Sequence, residues 1–250
     1  MIKRELYMNR IRPFIGGELI KVMTGIRRSG KSVMLELIKE ELAEAGVAPS
    51  QMISINFEDM RYSHLQTATA LHDEIIKRAE GIEGKAYLFF DEIQEVEGWE
   101  KCVNSLRVAL DCDIYITGSN AKLLSGELAT YIGGRYVEFV IYPFSFAEFL
   151  ELYHTIAPSD SIQQCFQKYL LAGGMPYLAN LRYEEEPSRQ YLTDLFNSVQ
   201  LKDIVKRNKI RDIDLLERII AYMTANVGTV FSASSLAKFF KNEQRTVAAE

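Results

Sequence analysis

Apolar residues in the first 145 positions follow two alternating periods. Short, mainly apolar segments predict strands near 19–25, 52–57, 86–91, 112–117 and 135–142, the first bounded by glycines and the third a continuous apolar run that ends in two acids. Between the first two, Met34, Leu37, Ile38, Leu42 and Ala45 recur at helical spacing and Gly46 supplies a stop, which predicts a helix over 31–45. Further helical patterns lie near 66–80, 98–110 and 120–130. Strands that alternate with helices in this way imply an α/β fold, a five-stranded and mostly parallel sheet covered on both faces, with ligands at the carboxyl ends of the strands.

From Phe146 the pattern changes and no convincing strand follows. Positions 146–154, 161–172, 188–206 and 212–225 read as helices. Gly173-Gly174-Met175-Pro176 breaks them sharply, and 182–187 reads as a charged surface loop. No internal repeat or low-complexity segment interrupts the chain.

Composition narrows the class. Of 250 residues, 48% are hydrophobic, enough for a sizeable core. No run is long and apolar enough to span a bilayer, and Met1-Ile2-Lys3-Arg4-Glu5 lacks the apolar core of a signal peptide. The three cysteines, Cys102, Cys112 and Cys165, are too few and too scattered for a disulfide framework or a zinc site. The expectation is a soluble cytoplasmic protein with no membrane partner. A net charge of −5 argues against general electrostatic binding of nucleic acid and leaves room only for a local basic face.

The candidate chemistry begins at Gly25-Ile26-Arg27-Arg28-Ser29-Gly30-Lys31-Ser32, which matches G-x-x-x-x-G-K-[ST] at every fixed position. Gly25 lets the chain turn as it leaves a strand, and Gly30 lets backbone N–H groups close around phosphate oxygens. Lys31 would reach the β/γ-phosphates and the Ser32 hydroxyl would ligate Mg²⁺. A helix opens here, with Val33 in its first turn, so its positive end faces the anion. The plainer alternative is a glycine turn with a chance lysine, but strand, loop and helix stand in the required order. Arg27 and Arg28 either add positive potential or point to solvent.

A second cluster closes the third strand. Ala86 to Phe90 is continuously apolar and ends in Asp91-Glu92. In phosphate-loop hydrolases such an Asp holds Mg²⁺ and the adjacent Glu polarises the attacking water; an acidic N-cap for the next helix is the other reading. The fourth strand ends in Gly118-Ser119-Asn120. If the sheet order places that strand between the first and third, Ser119 or Asn120 would sense the γ-phosphate or hold water; either would equally cap a helix. Arg135, after Gly133-Gly134, is a candidate to reach a γ-phosphate in a neighbouring subunit, against the alternative of a surface arginine.

Together these residues resemble the AAA-type ATPase domain of a family of prokaryotic ATP-binding proteins. The likeness rests on the double-arginine phosphate loop, Asp91-Glu92-Ile93-Gln94 with Trp99, and Thr117-Gly118-Ser119-Asn120. Gly134-Arg135, Pro143-Phe144-Ser145-Phe146-Ala147-Glu148-Phe149 and Gly173-Gly174-Met175-Pro176 complete it. The resemblance implies that Lys31 and Ser32 bind phosphates and Mg²⁺, Asp91 supports Mg²⁺ and Glu92 activates water. It also implies Asn120 or Ser119 as first sensor and Arg135 as arginine finger in a homo-oligomer.

It further implies a P-loop ATPase core over 1–145, a helical lid over 146–208, and a winged-helix segment beginning at 209 and cut short at 250. Positions 215–227 and 232–240 would be the first two helices of that segment, the second capped by Ser232 or Ser234, with Leu236, Phe239 and Phe240 inward. Lys238, Lys241 and Arg245 make this end locally basic, which is either a DNA contact or a solvated face. In such proteins a recognition helix, a wing and a large C-terminal module follow, so the chain reads as a fragment.

The expected function is Mg²⁺-dependent binding and hydrolysis of ATP, driving a conformational change, in the crevice of the first, third and fourth strands. The alternatives are a slow-hydrolysing ATP-gated switch and a DNA-binding regulator with ATP as effector. A small-molecule kinase is the weakest contender, because nothing reads as an acceptor pocket. Adenine follows from the resemblance, since no guanine-reading Asn-Lys-x-Asp motif is present, and the region of Ile2 to Tyr7 is the candidate for touching the base.

Overall fold

The computed structural model describes residues 2–118, 132–199, 205, 210, 212–230 and 232–247, with side chains as far as residue 240. The predicted helix over 120–130 and the candidates Ser119 and Asn120 lie outside the described residues, as do the side chains of Lys241 and Arg245. The chain divides into two compact units, Met1–Leu195 and Phe196–Glu250.

In the first unit, among the described residues, five strands form one sheet: β1 (Ile20–Thr24), β2 (Met52–Asn56), β3 (Ala86–Asp91), β4 (Cys112–Thr117) and β5 (Tyr136–Val140). Their order is β2-β3-β4-β1-β5 and every pairing is parallel. Every residue of β1 and of β4 is buried, so these strands are mainly apolar without alternation, and the polar residues they carry, Lys21, Thr24, Asp113 and Thr117, are buried with them.

Helices cover both faces. The predicted helices appear as α2 (Lys31–Glu44), α3 (Ala68–Ala79) and α4 (Trp99–Ala109). One face packs Leu71, Ile75, Val103 and Leu106 against Ile53, Leu88 and Ile114. The other packs Met34, Ile38 and Leu42 against Met23, Phe89 and Phe139. There the Phe89 and Tyr115 rings stack with centroids 4.9 Å apart. Each such fully buried large side chain contributes about 1.5–3 kcal/mol. This second face also receives α1 (Glu5–Ile11), which the sequence pattern did not predict, through Tyr7, Met8 and Ile11.

A polar group sits beneath this core. Lys21 and Asp113 form a buried ion pair. Asp113 also accepts from the Tyr115 hydroxyl at 2.7 Å and the Gly16 N–H at 2.6 Å, so the buried carboxylate is well supplied with donors.

After β5 come α5 (Phe146–Tyr153), α6 (Ile162–Ala172) and α7 (Glu185–Val199). Capping boxes open the first two, Ser145 with Glu148 and Ser161 with Gln164. A third cluster, with Phe149, Tyr153, Cys165, Leu178 and Tyr183, holds these helices together. The Phe144 N–H donates to Gly174 O at 2.7 Å, tying the exit of β5 to the glycine break after α6. Residues 185–187, expected in a loop, are the first turn of α7. Pro187 fits there because a first-turn N–H has no helical partner to lose.

The second unit contains α8 (Ile213–Ala225) and α9 (Ala233–Val247). The Asp212 carboxylate caps α8 by accepting from the Leu215 N–H at 2.9 Å. Tyr222 packs on Phe239 with centroids 4.7 Å apart, and the Arg218 guanidinium lies over Phe240.

Candidate nucleotide site

The site is built from strand ends. Because β4 lies between β1 and β3, the carboxyl ends of these three parallel strands lie side by side at one edge of the sheet. From β1 the chain enters the glycine-rich loop. Gly25 has φ +141°, and a Cβ there would stand 2.2 Å from Ile141 O, so no other residue fits without moving β5's exit. At the other end, Gly30 has φ +101° and is the N-cap of α2, whose first turn carries Lys31, Ser32 and Val33. Ser32 and Val33 are exposed, whereas Ser29 and Lys31 are buried.

Lys31 curls back into its own loop. Its Nζ donates to Gly25 O at 3.3 Å and Ile26 O at 3.2 Å, and lies 3.9 Å from Glu92 Oε1. Burial pushes its pKa below the ordinary lysine value; the Glu92 and Asp91 carboxylates oppose the shift and Arg27 adds to it. Arg28, at φ +63°, turns outward, and its guanidinium lies 5.5 Å from the centre of the Tyr191 ring on α7.

β3 delivers the acidic pair. Asp91 is buried at the strand's last position, opposite Asn56 at the end of β2. One Asp91 oxygen accepts from the Thr117 hydroxyl and the other from the Asn56 side-chain amide at 3.0 Å. Glu92 follows at φ +55°, a left-handed conformation uncommon for a non-glycine residue. Its N–H donates to Thr117 Oγ1 at 3.0 Å and its carboxylate accepts from the Gln94 side-chain amide. Burial raises the Glu92 pKa; the Gln94 hydrogen bond and the Lys31 charge act against that rise.

The structure therefore brings Gly25 to Val33, Asp91 and Glu92 together. It does not bring Arg135 to them. Arg135 precedes β5, its carbonyl accepts from the Ile20 N–H at the amino-terminal edge of the sheet, and its guanidinium donates to Asn104 on α4 at 2.9 Å. Any contact of Arg135 with a phosphate would have to be made to another copy of the chain.

Sequence reasoning did not single out Asn56, and it assigned no role of their own to Thr117 and Gln94, which it quoted within motifs, or to Arg4. Thr117 and Asn56 carried a usable signal, each being the polar last residue of a strand. Arg4 carried none. It is 2% exposed, lies at φ +49°, and donates to Ser29 O inside the loop at 3.0 Å. Five described non-glycine residues have positive φ, and three of them, Arg4, Arg28 and Glu92, belong to this one site. Such strain persists only where surrounding contacts over-determine it.

A family model described as an AAA domain matches residues 18–150, and one described as a domain of unknown function matches residues 163–249. The chain is 38% identical over 245 residues to an uncharacterized protein of Haemophilus influenzae, covering 98% of this chain and 60% of that protein. It is 32% identical over 236 residues to the uncharacterized protein MJ1544 of Methanocaldococcus jannaschii, covering 90% and 51%. It thus spans little more than half the length of these relatives. Among solved structures it is similar to AMPPCP-bound DnaA from Aquifex aeolicus, at 14% identity and a TM-score of 0.46, over 92% of this chain and 71% of that one. With the AAA model matched over more than half of its residues, on the segment that carries the glycine-rich loop and the acidic pair, the chain belongs to the AAA domain family of P-loop ATPases.

Proposed function

We propose that the chain binds ATP with Mg²⁺ at the carboxyl edge of β1, β4 and β3 and hydrolyses it, using the cycle to change conformation. One observation carries the reading: Lys31 from the loop after β1 and the adjacent Asp91 and Glu92 from the end of β3 converge there, with Thr117 of β4 bonded to both acidic residues. The residues fit such a ligand. Ser29 Oγ and Gln94 Oε1 are buried without a hydrogen-bond partner, and two glycines with positive φ bound the loop.

In this reading the N–H groups at the start of α2 and the Lys31 ammonium bind the phosphates, leaving the loop carbonyls for the anion. Ser32 and Asp91 would hold Mg²⁺, which when bound neutralises charge on the phosphate oxygens. Asp91 keeps acceptor capacity for this, since each carboxylate oxygen has two lone pairs and accepts one of the two hydrogen bonds from Thr117 and Asn56. Glu92 orients the attacking water and takes its proton at Oε1, the oxygen that faces Lys31, while Oε2 accepts from Gln94. Ser119 or Asn120 would sense the γ-phosphate, and Arg135 of a second copy would stabilise charge in the transition state.

A slow ATP-gated switch is the second reading, and the Gln94 bond on Glu92 favours it, because a carboxylate held aside is a poor base. Glu92→Gln decides. A true hydrolase loses turnover and keeps ATP, measured by phosphate release and by binding of a fluorescent ATP analogue. A switch is slow beforehand and changes little. DNA contact by the basic end near Lys238 rests on sequence alone; it predicts salt-dependent DNA binding, and indifference to DNA would remove it.

A further inference from the structure

Arg4 is placed where the N-terminal segment, the glycine-rich loop and the start of the helical region meet. Its Nη1 donates to Ser29 O at 3.0 Å. Its Nη2 donates to Tyr142 O at 2.8 Å, in the segment between β5 and α5. Its Nε donates to Glu148 Oε1 at 2.8 Å, and Nη2 reaches Glu148 Oε2 at 3.3 Å. The guanidinium lies 4.6 Å from the centre of the Tyr7 ring and 5.2 Å from that of Phe144. Tyr7 closes the same corner, its hydroxyl accepting the Tyr142 N–H at 3.0 Å. Glu148 is itself the capping-box residue of α5, accepting the Ser145 N–H at 2.8 Å.

We propose that Arg4 is the positioning residue of the phosphate loop, setting the Ser29–Gly30 peptide so that the loop amides face the nucleotide. In a trans peptide the carbonyl oxygen and the following N–H point in opposite directions. Holding Ser29 O against Arg4 therefore turns the Gly30 N–H away from Arg4. Gly30 approaches so closely that a Cβ there would stand 3.4 Å from Arg4 Nη1. Only a planar fork can serve three acceptors on three segments at once; a lysine, with its donors on a single nitrogen, cannot span them. The left-handed backbone at Arg4 is what aims the fork. The same group makes the loop's shape depend on where α5 begins, through Glu148.

This inference rests on the ATP reading for its functional half, so its test has two readouts. Arg4→Lys keeps the charge and loses the fork. Arg12→Ala is the control: Arg12, just after α1, pairs with Glu5 of α1 and Glu41 of α2, and its guanidinium hydrogen bonds go to these and to Asn9, not to the loop. In nucleotide-free protein, hydrogen exchange of a peptide covering residues 28–32 should be faster in Arg4→Lys than in wild type and unchanged in Arg12→Ala. A fluorescent ATP analogue with Mg²⁺ should bind Arg4→Lys about tenfold more weakly, the scale of one lost charge-assisted hydrogen bond, and Arg12→Ala like wild type. Loop exchange identical to wild type in Arg4→Lys overturns the proposal, as does equal weakening in both variants. If wild type takes no ATP, the ATP reading falls, and the exchange result still decides whether Arg4 sets the loop.

Discussion

The Thr117 hydroxyl accepts the backbone N–H of Glu92 at 3.0 Å and, in the same place, donates to the Asp91 carboxylate. One side chain at the end of β4 thus sets the angle of the buried carboxylate and the strained backbone of its neighbour. Thr117→Val keeps the shape and removes both bonds. It should lower turnover about 10–100-fold, the usual cost of losing a partner that orients a functional group, with a much smaller change in nucleotide affinity. It should also cost about 1–3 kcal/mol of stability for the buried groups left unpaired. Steady-state ATPase assays and urea unfolding check this, and Thr117→Ser should recover most of both.

Lys31 holds a charge that the fold penalises. It is buried, lies 3.9 Å from Glu92 and donates to two loop carbonyls. Lys31→Met fills similar space without the charge. The expected outcome is loss of ATP binding by calorimetry together with a melting temperature equal to or above that of wild type, since removing an under-compensated buried charge relieves a desolvation cost. A variant that lost binding only because it unfolded would contradict this.

Glu148 gives the fold a pH dependence. Burial pushes its carboxyl upward, but hydrogen bonds from Arg4 and Ser145 outweigh that and leave its pKa below the ordinary value. A carboxylate depressed in the folded state contributes stability that is fully present above the unfolded pKa, about 4.3 for Glu. That contribution is lost as pH falls through the lower folded value. Wild type should therefore melt above Glu148→Gln at pH 6, with the gap closing below about pH 4. Melting curves from pH 6 to pH 3 test it, and a gap that stays constant would show that Glu148 acts only through shape.

Much of the first unit is legible in the order of residues. The five strands lie within about two residues of the predicted limits, because short, mostly apolar segments alternate with helical patterns along this half of the chain. The glycine-rich loop and the acidic pair are legible as local patterns too. The start of α7 is misplaced by the pattern because charged residues and a proline mimic a loop while also suiting a helix's first turn. The helix α1 escapes it because its buried side, Tyr7, Met8 and Ile11, is too short to stand out as a period.

By itself the sequence determined that a strand, a glycine-rich loop and a helix follow one another, and that an apolar strand ends in two acids. These are local patterns, set by backbone sterics and by the burial of neighbouring residues. Only the tertiary structure decided that β4 runs between β1 and β3, that Thr117 joins Asp91 to Glu92, and that Arg4 meets Ser29 and, 144 positions away, Glu148. Buried parallel strands all carry much the same apolar code, so their order has no local signature. A side chain's partner across such a separation is fixed by packing of the whole unit, and no stretch of sequence contains it.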